Sequence, residues 1–266
     1  MASPAHPSSP EVLVYAHRRS MGAAAARNVQ AIVEKTVKEK GTARVIFACA
    51  PSQDDMYAAL IPLARATPAV WKAVEVFHMD DYLGLDETHP QSFRNYLRRH
   101  FLSQVEVAVF HPLRGEATDG TAEARRYAGL LEAAPIDLIS LGVGENGHLA
   151  FNDPPVADFQ DPVSVKIVEL DAICRQQQVN DGCFPQLEDV PRHALSLTLP
   201  VFSRALNLSC VVPTRRKAEA VKAALLGPVT TECPATLMRS HPRAKLFLDT
   251  DSASLLPPGF ISTVHP

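Results

Sequence analysis

No apolar run in this chain approaches the ~20 residues that a membrane-spanning helix needs; the longest, such as residues 45–51, are far shorter. Paired cysteines are missing as well. Five cysteines occur, Cys49, Cys174, Cys183, Cys210 and Cys233, an odd number with no C-x-x-C spacing. They read as reduced, packing thiols of a cytoplasmic protein, not as a disulfide framework. No Cys/His cluster has ligand spacing, so no metal is expected. Excess positive charge is also absent. The chain carries 26 Lys and Arg against 29 Asp and Glu, a formal charge of -3. This excludes nucleic acid or a membrane surface as the main partner, and no helix-turn-helix pattern suggests otherwise. Residues 1–10 hold three prolines and three serines but no apolar core. They are expected to form a disordered terminus and not a secretory signal. No repeat of fixed period is visible.

What remains is an ordinary globular composition, with 46% hydrophobic residues in a chain of 266. That length builds a substantial core, and residues 11–266 read as one α/β domain. Strand-like runs (12–15, 44–50, 74–79, 107–110, 136–143, 165–170, 194–199, 206–212, 245–248) alternate with helix-like ones (21–39, 56–66, 93–101, 121–134, 217–225). Gly41 is a plausible helix stop. The run 136–143 is apolar but for Asp137 and Ser140, as in a parallel strand covered on both faces. The pattern predicts a three-layer α/β sandwich with a mostly parallel, Rossmann-like central sheet. In such sheets ligands bind beyond the carboxyl ends of strands, so functional residues are sought just after the apolar runs.

Three runs end in chemistry. The first is Phe77-His78-Met79-Asp80-Asp81-Tyr82-Leu83-Gly84-Leu85. Successive strand residues face opposite ways, so one carboxylate can face a cleft as a proton carrier while the other caps the loop. The alternative is a pair of turn-forming acids. The second is Leu141-Gly142-Val143-Gly144-Glu145-Asn146-Gly147-His148-Leu149-Ala150-Phe151-Asn152-Asp153-Pro154. Its glycines permit close approach to a ligand. His148 and Asp153 form an imidazole–carboxylate pairing suited to acid/base work. The third is Val212-Pro213-Thr214-Arg215-Arg216-Lys217-Ala218. Thr214 is a candidate N-cap. Cations in a first helical turn oppose the helix dipole, a conflict that a bound phosphate resolves; a solvated basic patch is the alternative.

These three segments, in this order, resemble the glucosamine-6-phosphate deaminase family, within the group that also holds ribose-5-phosphate isomerase and 6-phosphogluconolactonase. The resemblance covers about residues 12–256, and Gly-Glu-Asn-Gly-His-Leu-Ala-Phe-Asn-Asp-Pro is its most specific part. Ser240-His241-Pro242 is similar to a further family element. The resemblance implies cofactor-free conversion of glucosamine 6-phosphate and water to fructose 6-phosphate and ammonia. It implies that Asp80 moves a proton between C2 and C1 of the open sugar. His148 would assist ring opening, with Asp153 holding it and Asn146 beside them. Substrate and phosphate contacts would come from Ser52, Gln53, Asp81, Gly147, Arg175 and Lys217. A homo-oligomer is possible on this reading.

Four departures accompany the resemblance. Asn146 stands where many members have Asp, and Asp153 where Glu is usual. The glycine-rich phosphate loop is replaced by Cys49-Ala50-Pro51-Ser52-Gln53-Asp54-Asp55, whose two acids would repel a phosphate. Gln178 stands where better-known members place a phosphate-contacting Arg, and Arg175 is offered as its substitute from the previous turn. Two competing readings follow: a 6-phosphogluconolactonase-like hydrolase, and a non-catalytic sugar-phosphate sensor.

Overall fold

Successive side chains of a strand point to opposite faces, and in the central strands of this protein both faces are buried. The computed structural model describes residues 10–261 and 263–266; apart from Pro10, the expected disordered terminus lies outside the described residues. Strand β1 (Glu11–Tyr15) leads to helix α1 (Arg18–Lys40), then to β2 (Ala43–Phe47), α2 (Asp54–Ala66) and α3 (Pro68–Trp71). Strands β3 (Val74–His78) and β4 (Asp80–Tyr82) precede α4 (Phe93–Leu97), β5 (Val109–His111) and α5 (Gly120–Glu132). Then come β6 (Leu138–Leu141), β7 (Val165–Glu169), α6 (Ala172–Asn180), β8 (His193–Leu197) and α7 (Leu199–Arg204). The chain closes with β9 (Leu208–Val212), α8 (Ala218–Leu226), β10 (Ala244–Asp249) and β11 (Val264–His265).

The main sheet has the order β11-β1-β10-β9-β6-β2-β3-β5, with every pairing parallel. Its side chains sort by parity. Val45, Phe47, Val76, Val211 and Phe247 join one core with Met21, Val29 and Val33 of α1 and Met56 and Leu60 of α2. Ile46, Phe77, Ile139, Cys210 and Leu246 join the opposite core with Tyr127 of α5, Phe202 of α7 and Val221 of α8. A three-layer sandwich results, as the continuous apolar runs require. Helix α1 ends where Gly41 takes a left-handed conformation (φ 81°) and its amide donates to the Val37 carbonyl, the usual glycine stop.

Two predicted strands take a different course. Residues 165–170 and 194–199 do form strands, but they leave the main sheet: β8 pairs antiparallel with β4 on one side and with β7 on the other. Buried Val168 lies between exposed Ile167 and Glu169, so the later part of β7 has one wet face. The helix expected over 93–101 is α-helical only to Leu97, and Arg98–Leu102 continue as a π-helical turn.

Helices α1 and α2 touch backbone to backbone. A Cβ on Gly22 would lie 2.6 Å from Asp55 Cβ and 2.9 Å from the Met56 nitrogen. Gly129, exposed on α5, has nothing within 4 Å of the same position. We expect Gly22→Ala to lower thermal stability by about 1–3 kcal/mol through overpacking. Gly129→Ala should raise it by roughly 0.5–1 kcal/mol through helix propensity. Thermal melts of the two variants check this pair of opposite signs.

Candidate active site

In the main sheet, β2, β3 and β5 run outward in one direction while β6, β9 and β10 run outward in the other. The order reverses between β2 and β6, and such a switch point opens a crevice at the carboxyl ends of the strands. A cleft of about 930 Å³, including its open mouth, lies there. Its walls come from the ends of β2 (Ala48 to Ser52), β3 (Met79, Asp80), β6 (Gly142 to Gly144) and β9 (Pro213, Thr214).

Strand β3 passes directly into β4, and the two acids there part company. Asp80 is 6% exposed and lines the cleft. Burial pushes its carboxyl well above the usual range, and the negative charges of Asp81 and Asp153 push the same way. Asp81 turns inward. Its oxygens accept from the amides of Tyr82, Phe93 and Arg94 (2.9, 2.9 and 3.2 Å) and from Ser92 Oγ (3.1 Å). Burial still lifts Asp81 to about 6 against those hydrogen bonds and the Arg94 charge. Asp81 was expected to touch substrate; it instead caps the start of α4, because the four donors there consume its lone pairs. His78 fixes the backbone between them. Its Nδ1 is 2.9 Å from the Asp80 carbonyl, and its Nε2 accepts from the Leu113 amide at 2.8 Å. Burial lowers its pKa to about 3, so the ring is neutral and acts as a clamp.

The segment after β6 forms the second wall. A Cβ at Gly144 would sit 2.3 Å from the His148 ring, so the missing side chain makes room for the imidazole. His148 is 8% exposed and lines the cleft. Its Nδ1 lies 2.7 Å from Asp153 Oδ1. The contact is short but falls outside linear hydrogen-bond geometry. The shorter side chain of Asp153 therefore still reaches the ring. Asn146 donates from Nδ2 to Asp153 (3.0 Å) and to Asp171 (3.1 Å), and its Oδ1 accepts the His148 amide at 3.1 Å. The Asp171 amide reaches the other Asp153 oxygen at 3.3 Å. Burial alone would raise Asp153, but His148, Asn146 and that amide outweigh it and hold the carboxyl below the usual range.

Cations gather across the cleft. Lys217 is 6% exposed and lines it with Arg216, Thr214, Ser52 and Arg18. Burial pushes the Lys217 ammonium down, partly offset by Asp181 and Glu145. Arg216 takes those two acids itself, with Asp181 at 3.1 Å and Glu145 at 4.0 Å. Among the described residues Lys217 has no ion pair of its own. Thr214 is not the side-chain N-cap expected from sequence. Its φ is 79°, and its amide is held instead by the Asp249 carboxylate at 3.0 Å. A non-glycine residue in that region costs on the order of 1–3 kcal/mol, a strain typical of functional sites.

The structure thus brings Asp80, His148, Ser52 and Lys217 to one cleft, with Asp153 and Asn146 directly behind His148. Gln53, Gly147 and Arg175 are not brought there. The Gln53 amide is buried and donates to Ser52 Oγ (3.1 Å) and the Val211 carbonyl (3.4 Å), tying the first loop to β9. Gly147 (φ 85°) packs closely against Cys233, where a Cβ would meet Sγ at 2.6 Å. Arg175 points out of the cleft and donates to the carbonyls of Leu187 (2.6 Å) and Val190 (3.0 Å); from α6 it is Gln177, Gln178 and Asn180 that line the cleft. The expected repulsion from Asp54 and Asp55 is met locally. Asp55 pairs with Arg18, and Asp54 accepts from the Tyr96 hydroxyl and contacts His100. Sequence reasoning missed Arg18, although it follows β1 as the other site residues follow their strands. It also missed Asp171 and Cys174, which carry no local signal and reach the site only through the fold.

Residues 16–247 match the family described as glucosamine-6-phosphate isomerases/6-phosphogluconolactonase. A glucosamine-6-phosphate deaminase of Listeria innocua is 32% identical over 225 residues, covering 85% of this chain and 92% of that protein. One from Thermoanaerobacter pseudethanolicus is 31% identical over 229 residues, covering 85% and 88%. Among solved structures, a monomeric glucosamine-6-phosphate deaminase matches with a TM-score of 0.84 at 27% identity, over 92% of this chain and 99% of that one. A 6-phosphogluconolactonase from Trypanosoma brucei shares the fold, with a TM-score of 0.75 at 18% identity over 94% and 100% of the two chains. By the extent of the family match and the identity to its relatives, this chain belongs to the glucosamine-6-phosphate isomerase/6-phosphogluconolactonase family.

Proposed function

We propose that the protein is a cofactor-independent, isomerising deaminase of an amino-sugar phosphate, converting glucosamine 6-phosphate or a close analogue, with water, to fructose 6-phosphate and ammonia. One observation carries this reading: a buried carboxylic acid and a carboxylate-backed imidazole wall the same sugar-sized cleft, and cations line its far side. Its reduced, mostly buried cysteines suit the cytoplasm.

The roles follow from the chemistry of each group. The phosphate sits against Lys217, Arg216, Arg18 and the Ser52 hydroxyl, which replace the absent amide cradle. His148 takes the ring hydroxyl proton and returns it to the ring oxygen, opening the sugar to its aldehyde. Asp80, as carboxylate, removes the proton from C2. The electrons move into the C1–C2 bond and the carbonyl π pair moves onto O1, giving an enolamine; protonated Asp80 then delivers its proton to C1 as the nitrogen lone pair forms the C2=N bond, and the proton lost from nitrogen ends on O1. Water adds to the resulting imine at C2 and expels ammonia. The raised proton affinity of Asp80 suits it to both halves of this transfer, since a base works best with a pKa near the working pH.

Asp80→Asn is expected to lower ammonia release by at least about 10²-fold while raising the melting temperature. The sign follows from the raised folded-state pKa: ionising Asp80 costs the fold stability as pH rises, and asparagine removes that cost. The gain should grow with pH and vanish in acid; turnover like that of the unaltered protein would refute the role.

The acid limb of kcat/KM should also rise through a midpoint above the ordinary carboxylate value of ~3.9. A midpoint at or below that value would contradict a buried Asp80 as base.

Arg18→Ala should lower kcat/KM for a hexosamine phosphate by roughly 10-fold or more, as losing a hydrogen bond to a charged group implies. It should act chiefly through KM and leave any residual rate on the unphosphorylated sugar unchanged. Hydrolysis of a phosphogluconolactone without ammonia release from any hexosamine phosphate would overturn the deaminase reading itself.

A further inference from the structure

Behind the His148 imidazole the fold assembles a donor set that no local spacing announces. His148, Asp153 and Cys174 each place one ligand atom so that all three lie within 4.8 Å of one another, and all three side chains are buried. They come from the turn after β6, its continuation, and the first turn of α6. The buried His148 Nδ1 lacks a well-directed hydrogen-bond partner and faces the Asp153 carboxylate at 2.7 Å. Nothing in the proposed reaction uses the Cys174 thiol.

We propose that His148 Nδ1, Asp153 and Cys174 Sγ form an inhibitory site for a soft or borderline divalent cation such as zinc. An N, O, S donor set with one open position matches the four-coordinate preference of that ion. Hard cations such as magnesium and calcium are disfavoured, because they take oxygen ligands. Metal–ligand bonds of about 2.0–2.3 Å require tetrahedral donors roughly 3.3–3.8 Å apart. Small side-chain shifts supply this: the His148–Asp153 pair opens slightly and the thiol closes. Of the three residues, only His148 lines the cleft, so the ion enters past its ring. Binding moves the remaining imidazole proton to Nε2 and releases the thiol proton to solvent. It thereby removes the lone pair needed for ring opening. Uptake should strengthen as pH rises, since a proton leaves with each ion bound.

The blockade, though not the binding, rests on the role proposed above for His148. The full-length protein is titrated with cobalt(II) while the ultraviolet thiolate-to-cobalt band and ammonia release are followed together. The site predicts a one-equivalent band and loss of turnover restored by a chelator. Cys174→Ser should weaken binding by at least about 10-fold, the loss seen even for outer partners of a bound metal; Cys183→Ser should retain the band. Should the Cys174→Ser variant fail to fold, the unaltered protein still decides, because a bound thiolate requires a thiolate band and proton release on uptake. No band, or a band of unchanged affinity in Cys174→Ser, would overturn the site. A band that depends on Cys174 with turnover untouched would overturn the blockade and the role of His148 together. Absence of ammonia release from the metal-free protein would instead be a failure of the deaminase reading, which the spectroscopic arm does not share.

Discussion

Three carboxylates close to one wall of a cleft repel one another, and the local structure is arranged around that repulsion. Asp81 is ringed by three backbone amides and a hydroxyl, so its charge is spread over fixed donors. Asp153 is held by an imidazole, an asparagine amide and a backbone amide. Asp80 has no such support: burial first, and the charges of Asp81 and Asp153 second, make it hold its proton more tightly than an ordinary carboxyl. Burial and like charges both disfavour ionisation, and the hydrogen bonds each acid receives decide how far its pKa moves. The same crowding therefore yields one acid able to exchange a proton and two that serve as fixed structure. His78, kept neutral by burial, clamps the backbone so that the division of labour between Asp80 and Asp81 cannot reverse.

The opposite side of the cleft solves a different problem. Pro51 lacks an amide proton, and the first loop is a short 3-10 turn from Pro51 to Gln53. Gln53 fastens that turn to β9 and does not reach outward. An amide cradle is therefore replaced by long cationic side chains, Arg18 from the start of α1 and Arg216 and Lys217 from the turn before α8. Arg18 is steadied by Asp55, and Arg216 by Asp181, which fixes their heads without neutralising buried Lys217. Attraction through such charges is screened by salt more than a cradle of buried amides would be. The strained backbone at Thr214, pinned by Asp249, sets the approach to Lys217.

Much of this was legible in the sequence. Predominantly apolar runs such as 136–143 call for burial on both faces, and strands of that kind assemble into a parallel sheet flanked by helices. The rule that ligands gather at strand ends located Asp80, His148 and Lys217 without coordinates. What escaped has a common cause. Whether a glycine, glutamine or arginine faces a cleft depends on what packs behind it, and sequence spacing does not carry that. Gly147 needs its backbone freedom for Cys233, not for a ligand, and Arg175 is drawn away by the carbonyls of Leu187 and Val190. Cys174 and Asp171 join the site from a helix whose position relative to β6 is fixed only by tertiary packing. Strands β7 and β8 were legible as strands, but their departure to a second sheet depends on pairing with β4, a segment of three residues.

The amide at Asn146 shows how such context changes the meaning of a departure. From sequence alone, an asparagine in place of a common aspartate suggests lost chemistry and motivates a sensor reading. In the structure Asn146 stands between two acids, Asp153 and Asp171, at 3.0 and 3.1 Å, and donates to both. A carboxylate there would have no proton to donate and would make a third negative charge in the same small space. Either it or a neighbour would have to bind a proton, and Asp153 could then no longer present a full charge to His148. The amide supplies both donors without that charge and accepts the His148 backbone amide with its oxygen. Asn146 thus adds to His148 in keeping the Asp153 carboxyl below the usual range. With Asp171 at 3.1 Å, an amide at this position fits the site where a third carboxylate would not.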